Sequence, residues 1–156
     1  MSPFDTTEVL ARLLAAVAVG ALLGIDRELR HKPIGPRTLA LVSLGSASIC
    51  VATIRLDVLA GEPDASSRVI QGVIQGVAAG IGFIGAGVVL QRPTTGKVRG
   101  LTTAAAVWIA GALGIACGVG AWRVVLISTL LALVVLVGLT PLDDWLEKRA
   151  KNQRDQ

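Results

Sequence analysis

Charged residues in this chain do not alternate with apolar ones; they gather in clusters between long apolar runs. Five runs stand out, at 9–25, 37–54, 69–90, 101–120 and 124–142. A bilayer core about 30 Å thick is crossed by about 20 mostly apolar residues in helical conformation. The stretch 101–142 is too long for one crossing, and Gly118, Gly120 and Arg123 mark a turn within it. Composition agrees with a chain dissolved in lipid. Only 17% of residues are charged, against about 25% in soluble domains. Backbone groups inside lipid must pair within the protein, which leaves helices or closed barrels. Continuous apolar runs without period-2 alternation exclude the barrel. The sequence therefore predicts an all-α polytopic membrane bundle of five transmembrane helices, over residues 1–142, followed by a short tail, 143–156.

Orientation follows from Lys and Arg, which stay on the cytoplasmic side. In a five-span arrangement, segments 26–37, 91–100 and the tail share one side and carry eleven of the fifteen basic residues. The other side has Arg55, Arg68 and Arg123, with Arg12 near the start of the first span. The expected topology is N-terminus outside and C-terminus cytoplasmic. A secretory signal peptide has basic residues ahead of its apolar core, whereas the first eight residues have none, so the first run is read as an uncleaved span. The net charge of +4 then reports topology, and no nucleic-acid surface is inferred from it.

Small residues dominate the spans. Gly20 and Gly24 form a GxxxG pair, and the third span reads VIQGVIQGVAAGIGFIGAGVVL, with Gly72, Gly76 and Gly80 four apart, followed by Gly82, Gly85 and Gly87. Such spacing lets helix backbones approach closely in lipid. The third span is therefore expected to be the central helix, although glycines lining a narrow ion conduit fit the same spacing. Gln71 and Gln75, one turn apart, are intramembrane polar groups expected to clamp neighbouring helices by hydrogen bonds. Cys50 and Cys117 read as buried thiols; no CxxC or histidine partner accompanies them.

The densest charge cluster follows the first span. In LLGIDRELRHKPIGPRT, Asp26, Arg27, Glu28, Arg30, His31, Lys32 and Arg37 fall within a dozen residues. Carboxylates at a helix C-terminus oppose its macrodipole, so Asp26 and Glu28 need partners there. The segment around Arg99 emerges on the same face. A single polar cluster is expected, with Asp26 and Glu28 paired to Arg37 and Arg99 around the end of the third span. Breaking a desolvated pair costs about 3–5 kcal/mol, which would make Asp26→Asn severe.

Four stretches, LLGIDRE, GPRTLALVSLGSA, GIGFIGAGVVL and VRGLTTAAAVWIAGALG, occur in an order that resembles the transmembrane domain of the MgtC/SapB family, over roughly residues 8–140. The resemblance implies a five-span protein of the bacterial cytoplasmic (inner) membrane, in a family tied to magnesium homeostasis and stress adaptation. The family's acidic motif falls on Asp26, Arg27 and Glu28, its Gly-x-Arg-Thr on Gly35, Arg37 and Thr38, and its Arg-Gly-Leu-Thr-Thr on Arg99, Gly100, Leu101, Thr102 and Thr103. Long members carry a further soluble domain, so this chain resembles the short SapB-like form with a transmembrane domain only.

These readings point to a non-enzymatic regulator of other membrane proteins, with cation (magnesium) or proton transport as the alternative. His31 is the only histidine, and no nucleophile or metal-ligand spacing accompanies it. Neither a catalytic residue nor a metal site nor a cofactor is expected. The expected partners are the lipid bilayer and other membrane proteins, with ATP synthase implied by the resemblance. GxxxG faces can also be shared between copies, so a homo-oligomer is a further expectation.

Overall fold

The computed structural model describes residues 5–54, 63–90 and 100–139. Over them the chain is all-α, with five helices in sequence: α1 (Thr6–Leu29), α2 (Pro36–Ile54), α3 (Pro63–Leu90), α4 (Leu101–Val119) and α5 (Trp122–Leu133), the last running into a π-helical turn, Val134–Gly138. Four of these are long and apolar enough to cross a membrane, whereas Trp122–Gly138 is shorter. At about 1.5 Å per residue, its described part falls short of a full hydrocarbon core of about 30 Å. The expected fifth crossing continued to residue 142, and 140–142 lie outside the described residues, as does the tail.

Local chemistry sets the helix ends. Asp5 caps α1, its Oδ1 accepting the Thr6 N–H at 2.8 Å, which satisfies an otherwise unpaired donor. At the other end α1 runs on through Asp26, Arg27 and Glu28 before stopping at Leu29. The charged cluster is thus partly the last turn of a helix. His31 then adopts a left-handed φ of 51° and reverses the chain. Pro36 opens α2 at the position where a missing N–H costs nothing. Gly120, at φ 82°, closes α4, donating its N–H to the Ala116 and Cys117 carbonyls. Left-handed backbone there favours glycine.

Helix directions alternate along the chain. α1 and α2 are antiparallel, with Gly20 against Leu39 and Gly24 against Pro36. α2 and α4 run parallel, since Gly114 meets Ser43 and Gly118 meets Ala47. α3 and α4 are antiparallel, with Gly85 beside Ala104 and Gly100 beside Val88. The seams between α1, α2 and α4 are made by glycine. A Cβ on Gly20 would sit 2.5 Å from the Leu39 carbonyl oxygen, and one on Gly118 would sit 2.8 Å from that of Ala47. Both distances are shorter than carbon–oxygen van der Waals contact. Between the seams lie Leu23, Leu39, Val107, Ala110 and Leu113, all buried.

The expectation of a central third span is corrected. α4 is the most enclosed of the four long helices and α3 the least. α3 touches α4 mainly through its second half, at Ile81 and Gly85, whereas nothing lies within 4 Å of a Cβ built on Gly72, Gly76, Gly80, Gly82 or Gly87. The seam residues of the centre are Gly111, Gly114 and Gly118 of α4 instead. Their spacing of three and four carries the same signal as the α3 series. Spacing tells which glycines share a face, and cannot tell which face meets a neighbour.

Large apolar side chains cover the outside: Phe83 is 82% exposed and Leu126 71%. Surfaces of this kind are unfavourable in water and ordinary against lipid. Cys50 and Cys117 are buried and free. Trp108 and Trp122 are exposed on the same outer surface.

Candidate polar site at the α1–α2 end

The ends of α1 and α3 meet the starts of α2 and α4 at one end of the bundle. Arg27, in the last turn of α1, is 2% exposed, and its Nη2 donates to the buried Thr103 hydroxyl in the first turn of α4. Beside it, Asp26 accepts from Arg30 Nε at 2.7 Å, one helical turn along. The chain beyond α1 wraps back on itself, with the His31 N–H donating to the Glu28 carbonyl (3.0 Å) and the Lys32 N–H to that of Arg27 (3.0 Å).

This wrapping shapes a cleft of about 260 Å³. One side carries Arg27, Arg30, His31 and Lys32; the other carries Gly100, Thr102 and Thr103 at the start of α4. Gly100 has φ 90° and offers no side chain to cap the helix. The first N–H groups of a helix lack intrahelical acceptors and carry the positive end of its dipole. The cleft is therefore basic on one wall and electropositive on the other.

The residues expected to form one cluster are only partly together. Arg27, Thr102 and Thr103 line the cleft, and Asp26 adjoins it through Arg30. Arg37 and Thr38 are both exposed, and Thr38 lines an apolar groove between α2 and α3 instead. The Glu28 carboxylate lies over Gly35, where a Cβ would collide with it. Arg99 lies outside the described residues. The expected pairing is corrected accordingly: Asp26 bonds Arg30, not Arg37. A neighbour four residues on is within reach of any helical carboxylate, whereas Arg37 starts the next helix. With side-chain exposures of 12% and 31%, this pair is an interfacial helix pair rather than a desolvated one.

Gln71 and Gln75 are exposed on α3. Of the expected packing glycines, Gly20 and Gly24 lie in the α1–α2 seam and Gly85 lies against α4.

Sequence reasoning did not single out a second buried cation. Arg12 is 7% exposed. Its Nη1 donates to the Gly118 carbonyl at 2.6 Å and its Nη2 to Glu8 Oε1 at 2.5 Å. The signal was present in the sequence, as a Glu four residues before an Arg inside an apolar run.

Comparison with known proteins places these motifs. The model of the MgtC family matches residues 13–145. Protein SrpB of Synechococcus elongatus is 44% identical over 136 residues, covering 81% of this chain and 72% of SrpB. Protein MgtC of Salmonella typhimurium is 36% identical over 121 residues, covering 78% of this chain. The match takes in 48% of MgtC, about half its length. An uncharacterized Haemophilus influenzae protein is 30% identical over 152 residues, or 63% of its length. No solved structure matches. With the family match spanning most of the chain and the four long apolar helices in place, this is a multi-pass membrane protein of the MgtC family.

Proposed function

We propose that this protein is a non-enzymatic regulator that docks other proteins of the bacterial cytoplasmic membrane along α3, in a role linked to magnesium limitation or stress. The observation that carries this reading is the open face of α3. Gly72, Gly76, Gly80, Gly82 and Gly87 have no neighbour where a Cβ would go, and Gln71 and Gln75 are exposed beside them. Glycine weakens an isolated helix; its benefit in lipid is close backbone approach. On α1 and α4 that approach is made within the chain, whereas on α3, Gly85 apart, it is left for another helix. ATP synthase is a candidate occupant by family resemblance, and a second copy of this chain is another. In this reading α5 completes a fifth crossing, the N-terminus is outside, and the α1–α2 end faces the cytoplasm.

Cation transport is less well supported. Among the described residues, the buried ionisable side chains of the spans include Arg12 and Arg27, whose positive charge opposes a passing cation.

The test is Gly76→Leu combined with Gly80→Leu. Open space at both sites predicts unchanged membrane levels and thermal stability, with loss of growth support in low magnesium in a strain lacking the native gene. Retained growth support would remove α3 as the docking face. Magnesium or proton flux in proteoliposomes of the purified protein would favour the transport reading instead.

A further inference from the structure

We propose that the cleft at the α1–α2 end binds an oxyanion of the phosphate class, a site independent of the α3 docking face. Arg27 carries the argument. It is 2% exposed, lines the cleft, and gives one nitrogen to the Thr103 hydroxyl. Its Nε is buried without a hydrogen-bond partner. Of the two carboxylates beside it in sequence, Asp26 is bonded to Arg30 and Glu28 lies over Gly35. Among the described residues no carboxylate lines the cleft, although Asp26 is close enough to act on Arg27 through its charge. A guanidinium is thus held out of water against a neutral hydroxyl at the positive pole of α4. Burial of an incompletely compensated charge is unfavourable, and the helix pole adds to it. An anion resolves both at once.

The opposite end of the same two helices shows what a compensated arrangement looks like. Arg12 meets a carbonyl of the last turn of α4 and has Glu8 as counter-ion. At the Arg27 end the polarity is reversed, and among the described residues no carboxylate is ion-paired with it. Helix N-termini bind anions through free N–H groups and the dipole. Here Gly100 supplies no side-chain cap to that terminus, and Lys32 brings a further cation to the cleft. Planar guanidinium groups pair with phosphate oxygens in a bidentate manner.

At about 260 Å³ the cleft is smaller than the roughly 300–1,000 Å³ of pockets that enclose whole drug-sized ligands. It suits an anionic group rather than a complete nucleotide. Leu29 and Leu101, next in sequence to lining residues, are exposed, so the group can come from a lipid headgroup as well as from free phosphate.

Two arms distinguish the sources. In the first, full-length protein in an uncharged detergent is titrated with inorganic phosphate by calorimetry. In the second, protein in phosphatidylcholine bilayers containing phosphatidylglycerol is released and its retained lipids are weighed by mass spectrometry. Saturable phosphate binding identifies the free ion; selective retention of phosphatidylglycerol identifies the headgroup. In the arm that responds, Lys32→Gln should weaken binding about tenfold, the size of one charge-assisted hydrogen bond. Arg30→Gln should weaken it in the same direction, which keeps the test intact if Arg27→Gln fails to fold. Arg123→Gln, an equal charge change on the first turn of α5, should leave binding unaltered. Silence in both arms overturns the proposal. So does equal weakening by Lys32→Gln and Arg123→Gln, which would mean general attraction to a basic protein.

Discussion

Both ends of α1 hold a buried arginine against α4, and the two are held differently. Arg12 sits at the C-terminal end of α4, hydrogen-bonded to the Gly118 carbonyl and ion-paired with Glu8. Arg27 sits at the N-terminal end, with a threonine hydroxyl as its hydrogen-bond partner and no ion pair among the described residues. They stand fifteen positions apart, about 22 Å along the helix, well apart within a hydrocarbon core of about 30 Å. One residue type, on one helix, thus meets opposite poles of the same neighbour. At the first pole the dipole, the carbonyl and the carboxylate all favour the cation. At the second the pole is positive, the acceptor is a neutral hydroxyl, and the nearby Asp26 carboxylate is bonded to Arg30 instead. The first arrangement is a fastening; the second is suited to receive something.

The comparison can be broken by substitution, and the largest effect falls at the fastened end. Arg12→Leu leaves the Gly118 carbonyl and Glu8 without their donor and should lower stability by about 2–3 kcal/mol, the range for hydrogen bonds to charged groups. Thermal unfolding in detergent would read this as a clear fall in Tm, unaffected by added phosphate. A loss no larger than that of a surface substitution would dissolve the distinction between the two ends. Arg27→Leu should cost less, about 1 kcal/mol, because removing a poorly compensated buried charge offsets the lost hydrogen bond to Thr103. It should also abolish any rise in Tm produced by the bound anion. An Arg27→Leu protein as damaged as Arg12→Leu would show that the α1–α2 end is also a plain fastening. The smallest effect belongs to Asp26→Asn, about 0.5 kcal/mol, since helix ion pairs four residues apart contribute little at an interface. A loss of several kcal/mol there would restore the desolvated pair expected from sequence.

Much of the architecture was legible in the chain because lipid leaves few choices. Runs of apolar residues bounded by charge become helices, and four of the five appear at full crossing length. The turn at Gly120 was legible for local reasons, whereas the reversal at His31 was not marked by a glycine. Packing was less so. Gly72, Gly76 and Gly80 of α3 share a face as Gly114 and Gly118 of α4 do, yet only the latter pair meets neighbouring backbone. Which face is covered depends on where three other helices lie, and no single segment records that.

The polar site was legible as a location and not as a set of pairs. The elbow and the Thr102–Thr103 segment do come together, as topology requires. Partner choice was decided by reach: Arg30 lies one turn from Asp26, and Arg37 lies across a chain reversal. Arg27 reads in sequence as one of several cations at a membrane boundary. That it turns inward to Thr103 follows from the closeness of α1 and α4, a tertiary fact. Arg12 was overlooked because an arginine near the beginning of a span is usually assigned to the aqueous edge, where long side chains reach water.

The shared direction of α2 and α4 has a consequence for the bundle as a whole. Neighbouring helices of opposite direction cancel one another's fields, but these two add, and each contributes about half an elementary charge at its start. The other two long helices, α1 and α3, end where these begin, so across the whole end of the bundle the main-chain poles offset one another. The positive field is local to the first turns of α2 and α4, and the net sign of that surface is set by its side chains.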